Sequence, residues 1–560
     1  MKRHFIFIFL LALIACKKQT YDVVIRHGTV YDGSGKAPIV GDVGINADTI
    51  AAMGDLSNAV GNSEIDAKGL AVSPGFVNML SHCEVSLILD GNSQSDIRQG
   101  VTLEVLGEGS MGPLSEKMKK ESEEQMKRDP ATAFKIDWTT LGEYLESLQR
   151  RGITPNVASF VSASTVRVHE LGYENRLAKP EEMERMKALV RQAMEEGAMG
   201  VTSALIYAPA NYASTEELVE LSKVAGEYGG MYIAHIRSEG NSILEAVDET
   251  IRIAREGKLP AEIYHLKLSG KSNWNKLDSV MAKIDRADRE GIRITADMYT
   301  YVAGATGLDA AMPPWVQEGG LYAWIKRLKD PKIRKQVLLE MRTPTNKWEN
   351  LMMLTGGPDK VLFLEFANDS LRKNFTGKTL EQVSRTYGKS PEETVMDLVI
   401  TDSTRVGTAY FLMTEGNIKR QLALPYVSLG SDAGSPADSG LWLRSNEHPR
   451  AYGNFARLLG KYVRDEHVIP LEEAIRKLTS LPAGNLKIKK RGSLLPGYFA
   501  DVVVFDPEKI QDHATFEKPH QYSTGVRDVF VNGTRVLSNG EHTGARPGRA
   551  VRGPGWKGTR

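Results

Sequence analysis

The sequence predicts an α/β protein: a (β/α)8 TIM-like barrel, with a small β-sandwich domain built from both chain ends and an inserted subdomain before the last strand. Three observations predict it. Through the middle of the chain, eight short apolar stretches alternate with amphipathic helical ones, the pattern of parallel strands covered by helices. The two ends share another texture, short alternating segments parted by turn residues. The interval between the seventh and eighth apolar stretches is far too long for one helix. A chain of 560 residues can bury a core of this size.

The leader comes first. Met1-Lys2-Arg3-His4 is a short basic region and residues 5–15 are an apolar run too short to span a bilayer, so residues 1–16 read as a signal peptide. The run ends in Leu13-Ile14-Ala15-Cys16, which resembles the bacterial lipobox, where cleavage precedes a lipidated cysteine. The expectation is an exported lipoprotein anchored through Cys16 to a membrane, on its periplasmic or outer-surface side. Cys83 is then the only cysteine of the mature chain, which excludes an intrachain disulfide.

Residues 21–72 and 490–550 carry the strands and hairpins of the small β-domain, for example "YDVVIRHGTVYDGSG" and "VRDVFVNGTRVLSNGE". Between them, residues 73–489 form the barrel. Its strands are expected at Phe76–His82, Thr102–Gly109, Asn156–Val161, Gly200–Leu205, Met231–Ile236, Ala261–Lys267, Arg293–Tyr299 and Tyr426–Ser431. Amphipathic helices such as "PEEMERMKALVRQAMEEG" separate many of them. The insertion is expected at about 308–400. The chain carries 71 basic and 70 acidic residues, a balance that points away from nucleic acid and other polyanions.

In such a barrel the chemistry sits at the C-terminal ends of the strands. Those ends read His82, Glu108, His235, His265, Asp297 or Tyr299, and Asp432, a concentration of metal-type ligands from distant parts of the chain. Only 11 histidines are present, and three of them end barrel strands. In "MYIAHIRSEG" and "IYHLKLSGKSNW" a strand-end histidine is followed two residues later by a cation, Arg237 or Lys267. Two neutral imidazoles from neighbouring strands suit zinc, and adjacent cations suit an anionic substrate. Asp432, in "VSLGSDAGSP", can take a proton from an activated water and pass it to a leaving amine.

The segments "PGF", "GVT", "AHIRSE", "HLK", "DMYTYVAGAT", "GSDAG" and "HPRAYGNFARLLGKYVR" resemble the N-acyl-D-amino-acid deacylases (D-aminoacylases) of the amidohydrolase superfamily, and the likeness covers nearly the whole mature chain. The resemblance implies a tightly bound zinc on His235 and His265, Asp432 as catalytic acid/base, and Lys267, Tyr299 and Arg450 as contacts to the substrate carboxylate. Four positions depart from the family pattern. A first-strand histidine is Leu80, a metal-bridging cysteine is Gly109, a histidine after the third strand is Ala163, and a substrate-holding serine is Ala305.

His82 belongs to the family's weaker second metal site, and loss of its partner at Leu80 weakens that site. Glu108, one residue before the missing cysteine and flanked by glycines, is a competent replacement ligand. The expectation is therefore one tightly bound Zn2+, with a second site weak or absent. The expected activity is cleavage of the amide bond of N-acyl-D-amino acids. A related amidohydrolase acting on a cyclic amide or dipeptide, and a non-catalytic ligand-binding lipoprotein of the same fold, stand as alternatives.

Overall fold

The computed structural model describes residues 19–127 and 129–558; Cys16 and the leader lie outside them. Eight strands form the central ring: β1 (Phe76–Ser81), β2 (Val101–Leu106), β3 (Asn156–Ser159, resumed at Val161–Ser162), β4 (Gly200–Ala204), β5 (Met231–His235), β6 (Ala261–Ile263), β7 (Ile294–Met298) and β8 (Val427–Leu429). They pair parallel in chain order. Every residue in them is buried, as strands covered on both faces require. β3 breaks at Phe160, so its first half pairs with β2 and its second with β4.

The ring closes just beyond the ends of β8 and β1. Asp432 N–H donates to the Leu80 carbonyl and His82 N–H to the Ala433 carbonyl, each at 2.9 Å. This closure sets His82 and Asp432 side by side. The covering helices begin where local chemistry says they should. The helix Pro180–Glu195 opens on a proline with Glu182 accepting from Lys179 N–H at 2.8 Å, and Ser214 caps the helix Thr215–Glu227.

The chain ends meet in one nine-stranded, continuously hydrogen-bonded sheet. Its two halves join where Val502–Phe505 runs antiparallel to Ala71–Pro74, the strand that leads through Gly75 into β1. Ile25, Val43, Ile45, Val502 and Phe530 fill a core of its own. Beyond its last strand the chain leaves this sheet and returns to the barrel, with Val157 N–H bonded to the Arg549 carbonyl at 3.0 Å and Val551 N–H to that of Val157 at 2.8 Å.

The insertion is wider than 308–400. Its antiparallel sheet uses Ala303–Gly307, Val361–Glu365 and Gly407–Phe411, the last in the middle. The opening strand, Ala-Gly-Ala-Thr-Gly, has no apolar alternation to mark it. Trp324, Phe363, Phe366 and Tyr410 build a separate core beneath it. Among the described residues no helix is long and apolar enough to cross a membrane.

Candidate metal and substrate site

A cavity of about 440 Å³ opens at the C-terminal ends of the barrel strands. His82, Glu108, His235, His265, Lys267, Tyr299, Asp432 and Arg450 all line it. His235 ends β5 and Tyr299 follows β7. Arg450 is the first residue of the helix Arg450–Arg457. His265 is placed differently from the strand expected through Lys267. β6 stops at Ile263, and the Asp297 carboxylate of β7 captures His265 N–H at 2.9 Å. Asp297 is thereby a backbone anchor beneath the cavity rather than one of the residues lining it.

Three of these residues hold left-handed backbone: Glu108 at φ 59°, His265 at φ 35° and Asp432 at φ 51°. Such conformations cost non-glycine residues on the order of 1–3 kcal/mol and persist where surrounding structure fixes them. At Glu108 the turn falls on the acid itself, not on its flanking glycines. Gly107 is required for another reason, since a Cβ there would lie 1.9 Å from the Tyr264 hydroxyl.

Two groups of ligand-type atoms result, and they share Glu108. In the first, Glu108 Oε1 lies 3.1 Å from His235 Nδ1 and 2.8 Å from His265 Nε2. The two rings stand nearly perpendicular, 4.5 Å apart between centroids. In the second, His82 Nε2 lies 3.0 Å from Asp432 Oδ1 and 3.8 Å from Glu108 Oε2. One partly exposed carboxylate and two buried imidazoles whose donor atoms converge are a donor set that fits zinc. Leu80 sits wholly buried in the barrel interior, packed among apolar side chains.

The sequence reading gave no role to Glu239. Its Oε1 accepts from Lys267 Nζ at 2.7 Å and lies 3.1 Å from His265 Nδ1 and 3.6 Å from His235 Nε2. With His265 Nε2 turned to Glu108, its Nδ1 faces Lys267 Nζ at 2.8 Å and Glu239 Oε1 at 3.1 Å, so the ammonium and the carboxylate that holds it orient the ring from behind. The only available signal was its place in "AHIRSE", four residues after His235.

Electrostatics follow from three carboxylates in one pocket, Glu239 and Asp432 buried and Glu108 partly so. Burial and the Lys267 charge work against protonating His265, yet Asp432, Glu239 and Glu108 hold it up to about 10. A field that holds a proton on a buried imidazole equally favours a metal cation. Burial would raise Asp432, but the charges of Arg450 and His265 outweigh it and hold its carboxyl well below the usual range. Burial would likewise raise Glu239, and the cations around it bring it down to about 2.

Beside these groups Arg450 Nη1 lies 2.7 Å from Asp432 Oδ2, and its guanidinium sits 4.6 Å above the Tyr299 ring. Lys267 Nζ is 5.4 Å from the same ring. The Tyr299 hydroxyl and Arg450 Nε are buried with no protein partner, the signature of groups built to meet an anion. Arg237, expected beside them, is held elsewhere by both oxygens of Glu249 at 2.9 Å. Tyr207 also lines the cavity, its ring 5.2 Å from that of His235 and with Arg405 of the insertion stacked 5.1 Å away. Ala305 lines the cavity, and Cys83 is a buried free thiol in the hydrophobic core.

Comparison with known proteins agrees with this geometry. Residues 63–537 match the model of the amidohydrolase family. The chain is 32% identical over 536 residues to the D-aminoacylase of Alcaligenes xylosoxydans xylosoxydans, covering 95% of this chain and 98% of that one. A solved structure of a D-aminoacylase with a binuclear metal centre superposes with a TM-score of 0.78 at 32% identity, over 95% of this chain and 100% of its own. The N-acyl-D-glutamate deacylase of Bordetella bronchiseptica, solved with zinc and a phosphonate mimic of the tetrahedral intermediate, gives 0.77 at 26% identity, over 95% and 100%. The chain belongs to the amidohydrolase family, in the subgroup of D-aminoacylases and N-acyl-D-amino-acid deacylases.

Proposed function

We propose that the protein is a zinc-dependent hydrolase that cleaves N-acyl-D-amino acids into a carboxylate and a free D-amino acid. One observation carries the reading. Glu108 Oε1, His235 Nδ1 and His265 Nε2 converge in a cavity that Arg450, Lys267 and an unpartnered Tyr299 hydroxyl also line. These three donors would hold the ion, which when bound polarises the acyl carbonyl and lowers the pKa of water toward about 7. The sites of His82 and Leu80 favour a single tightly held ion, since an aliphatic side chain stands where a second imidazole would be needed.

Asp432, ionised in its surroundings, accepts the proton of the attacking water and returns it to the leaving nitrogen. Arg450, Lys267 and Tyr299 receive the free carboxylate and so fix which stereoisomer turns its carbonyl toward the metal donors. Arg450 also spans to Asp432. Exchanging that contact for the substrate carboxylate makes Asp432 more basic once substrate is held. Zinc-loaded protein should release free amine from N-acetyl-D-amino acids far faster than from their L isomers. Preference for the L series, or no turnover with zinc bound, overturns the reading.

The leader supports a location as well: a lipid on Cys16 would tether the enzyme to an envelope membrane. Cys16→Ser should move it from the membrane fraction to the soluble one, and an unchanged distribution rejects the anchor.

A further inference from the structure

Glu349, in the insertion, reaches the loop after β5 from outside the catalytic cavity. Its Oε2 accepts from the Ser238 hydroxyl at 2.5 Å and from Gly240 N–H at 3.1 Å. Glu239 N–H lies 3.1 Å from both of its oxygens. These are its only hydrogen-bond partners among the described residues, and all belong to the loop after β5 that carries Glu239. The seat is tight. A Cβ on Gly240 would lie 2.8 Å from Leu354 Cδ1, and one on Gly270, in the loop after β6, would lie 3.0 Å from the Leu354 carbonyl. Leu351, two residues past Glu349, lines the catalytic cavity itself.

A carboxylate served by adjacent donors of one loop fixes that loop's position and direction. Here the loop presents the single Glu239 oxygen that faces His265 Nδ1 and Lys267 Nζ. We infer that Glu349 is a positioning residue of the catalytic centre: it clamps the Ser238–Gly240 loop so that Glu239 orients the His265 imidazole and the Lys267 ammonium, coupling the seating of the insertion to assembly of the metal and carboxylate sites. The inference rests on the proposed function for the roles of His265 and Lys267.

The test uses the full-length protein and three variants: Glu349→Ala, Glu349→Gln and, as a control on an exposed neighbour, Lys347→Ala. Each is measured for zinc retained during dialysis against graded chelator, for kcat and KM on N-acetyl-D-amino acids, and for Tm. Loss of a group that orients metal ligands lowers metal affinity or activity by about 10- to 100-fold. That loss is expected in Glu349→Ala, together with a raised KM. Glu349→Gln keeps the volume and one acceptor oxygen, so its losses should be smaller, and Lys347→Ala should match wild type.

Glutamine also answers for the fold. If its Tm equals that of wild type and zinc retention still falls, Glu349 acts on the site. If the alanine variant folds with zinc retention and kcat/KM within about twofold of wild type, where 10- to 100-fold is expected, the inference is overturned. A Tm that falls in step with activity in both variants overturns it too, leaving a purely structural clamp. Failure of wild type to hydrolyse any N-acyl-D-amino acid sinks the proposed function instead, while zinc retention still judges Glu349.

Discussion

The two sides of the metal pocket are built differently. On the β5 and β6 side, His235 and His265 are buried; His265 Nδ1 meets Glu239 at 3.1 Å, and His235 Nε2 lies 3.6 Å from it without a hydrogen bond. On the β1 side, His82 keeps about a third of its side-chain surface exposed, and its ring meets Asp432 at 3.0 Å and Glu108 at 3.8 Å. The residue two before it, Leu80, has been given over to the barrel core. Donor atoms need backing from a second layer to stay aimed. The first side has that layer and the second does not. Metal affinity in this chain should therefore reside on one side, with Glu108 the only ligand shared between the two.

The sharpest way to break the comparison is His265→Ala. It removes a donor from the supported side and should abolish zinc retention and activity together, as should extended dialysis against a strong chelator. Metal analysis beside a deacylation assay reads both. His82→Ala should keep its zinc, and if it empties the site as fully as His265→Ala, the asymmetry is wrong. Glu108 comes next. Glu108→Ala should lose most of its zinc, whereas Glu108→Cys, which restores a thiolate of the type zinc favours, should retain more than the alanine variant.

The barrel and one half of the site were legible in the sequence for a physical reason. Strands buried on both faces must be apolar runs, and a polar residue that ends such a run has nowhere to go but the mouth of the barrel. His82, His235 and Asp432 could be placed on that ground. Arg450 came only through family resemblance, because it opens a helix 21 residues past the end of β8, where position carries no directional signal. Glu239 and Glu349 were invisible for a different reason. Each lies in a polar stretch that reads as solvated surface, and only tertiary contacts supply its partners: Lys267 and His265 for Glu239, the loop after β5 for Glu349. His265 was assigned to a strand that stops two residues earlier, because the Asp297 contact that turns the chain is tertiary.

A smaller effect sharpens the carboxylate wall. Tyr299→Phe removes a buried hydroxyl that has no protein partner, so the fold loses no hydrogen bond. A hydrogen bond to a charged group is worth about 1.5–3 kcal/mol, or roughly ten- to a hundredfold in kcat/KM. The loss should fall mainly on KM, read with a substrate bearing a free α-carboxylate, and should vanish with the corresponding carboxamide. Equal losses on both substrates would assign the hydroxyl to something other than the carboxylate.

Leu80→His tests the other side with the smallest expected effect on the reaction. Without metal, the new imidazole sits in an apolar layer beside Gly430, whose place for a Cβ lies only 2.9 Å from Leu80 Cβ. Burying an unsatisfied polar group there should cost about 1–3 kcal/mol, seen as a lower Tm in the presence of chelator. With excess zinc the imidazole gains a partner, so the deficit should shrink as zinc is added and a second equivalent of metal should bind. Wild type, with Leu80 in that place, should show neither change. A variant that stays at one equivalent and keeps its low Tm in zinc would show that more than the missing ring disables the β1 side. In that case the poor backing of His82, rather than the absence of its neighbour, is what confines the metal to the side of His235 and His265.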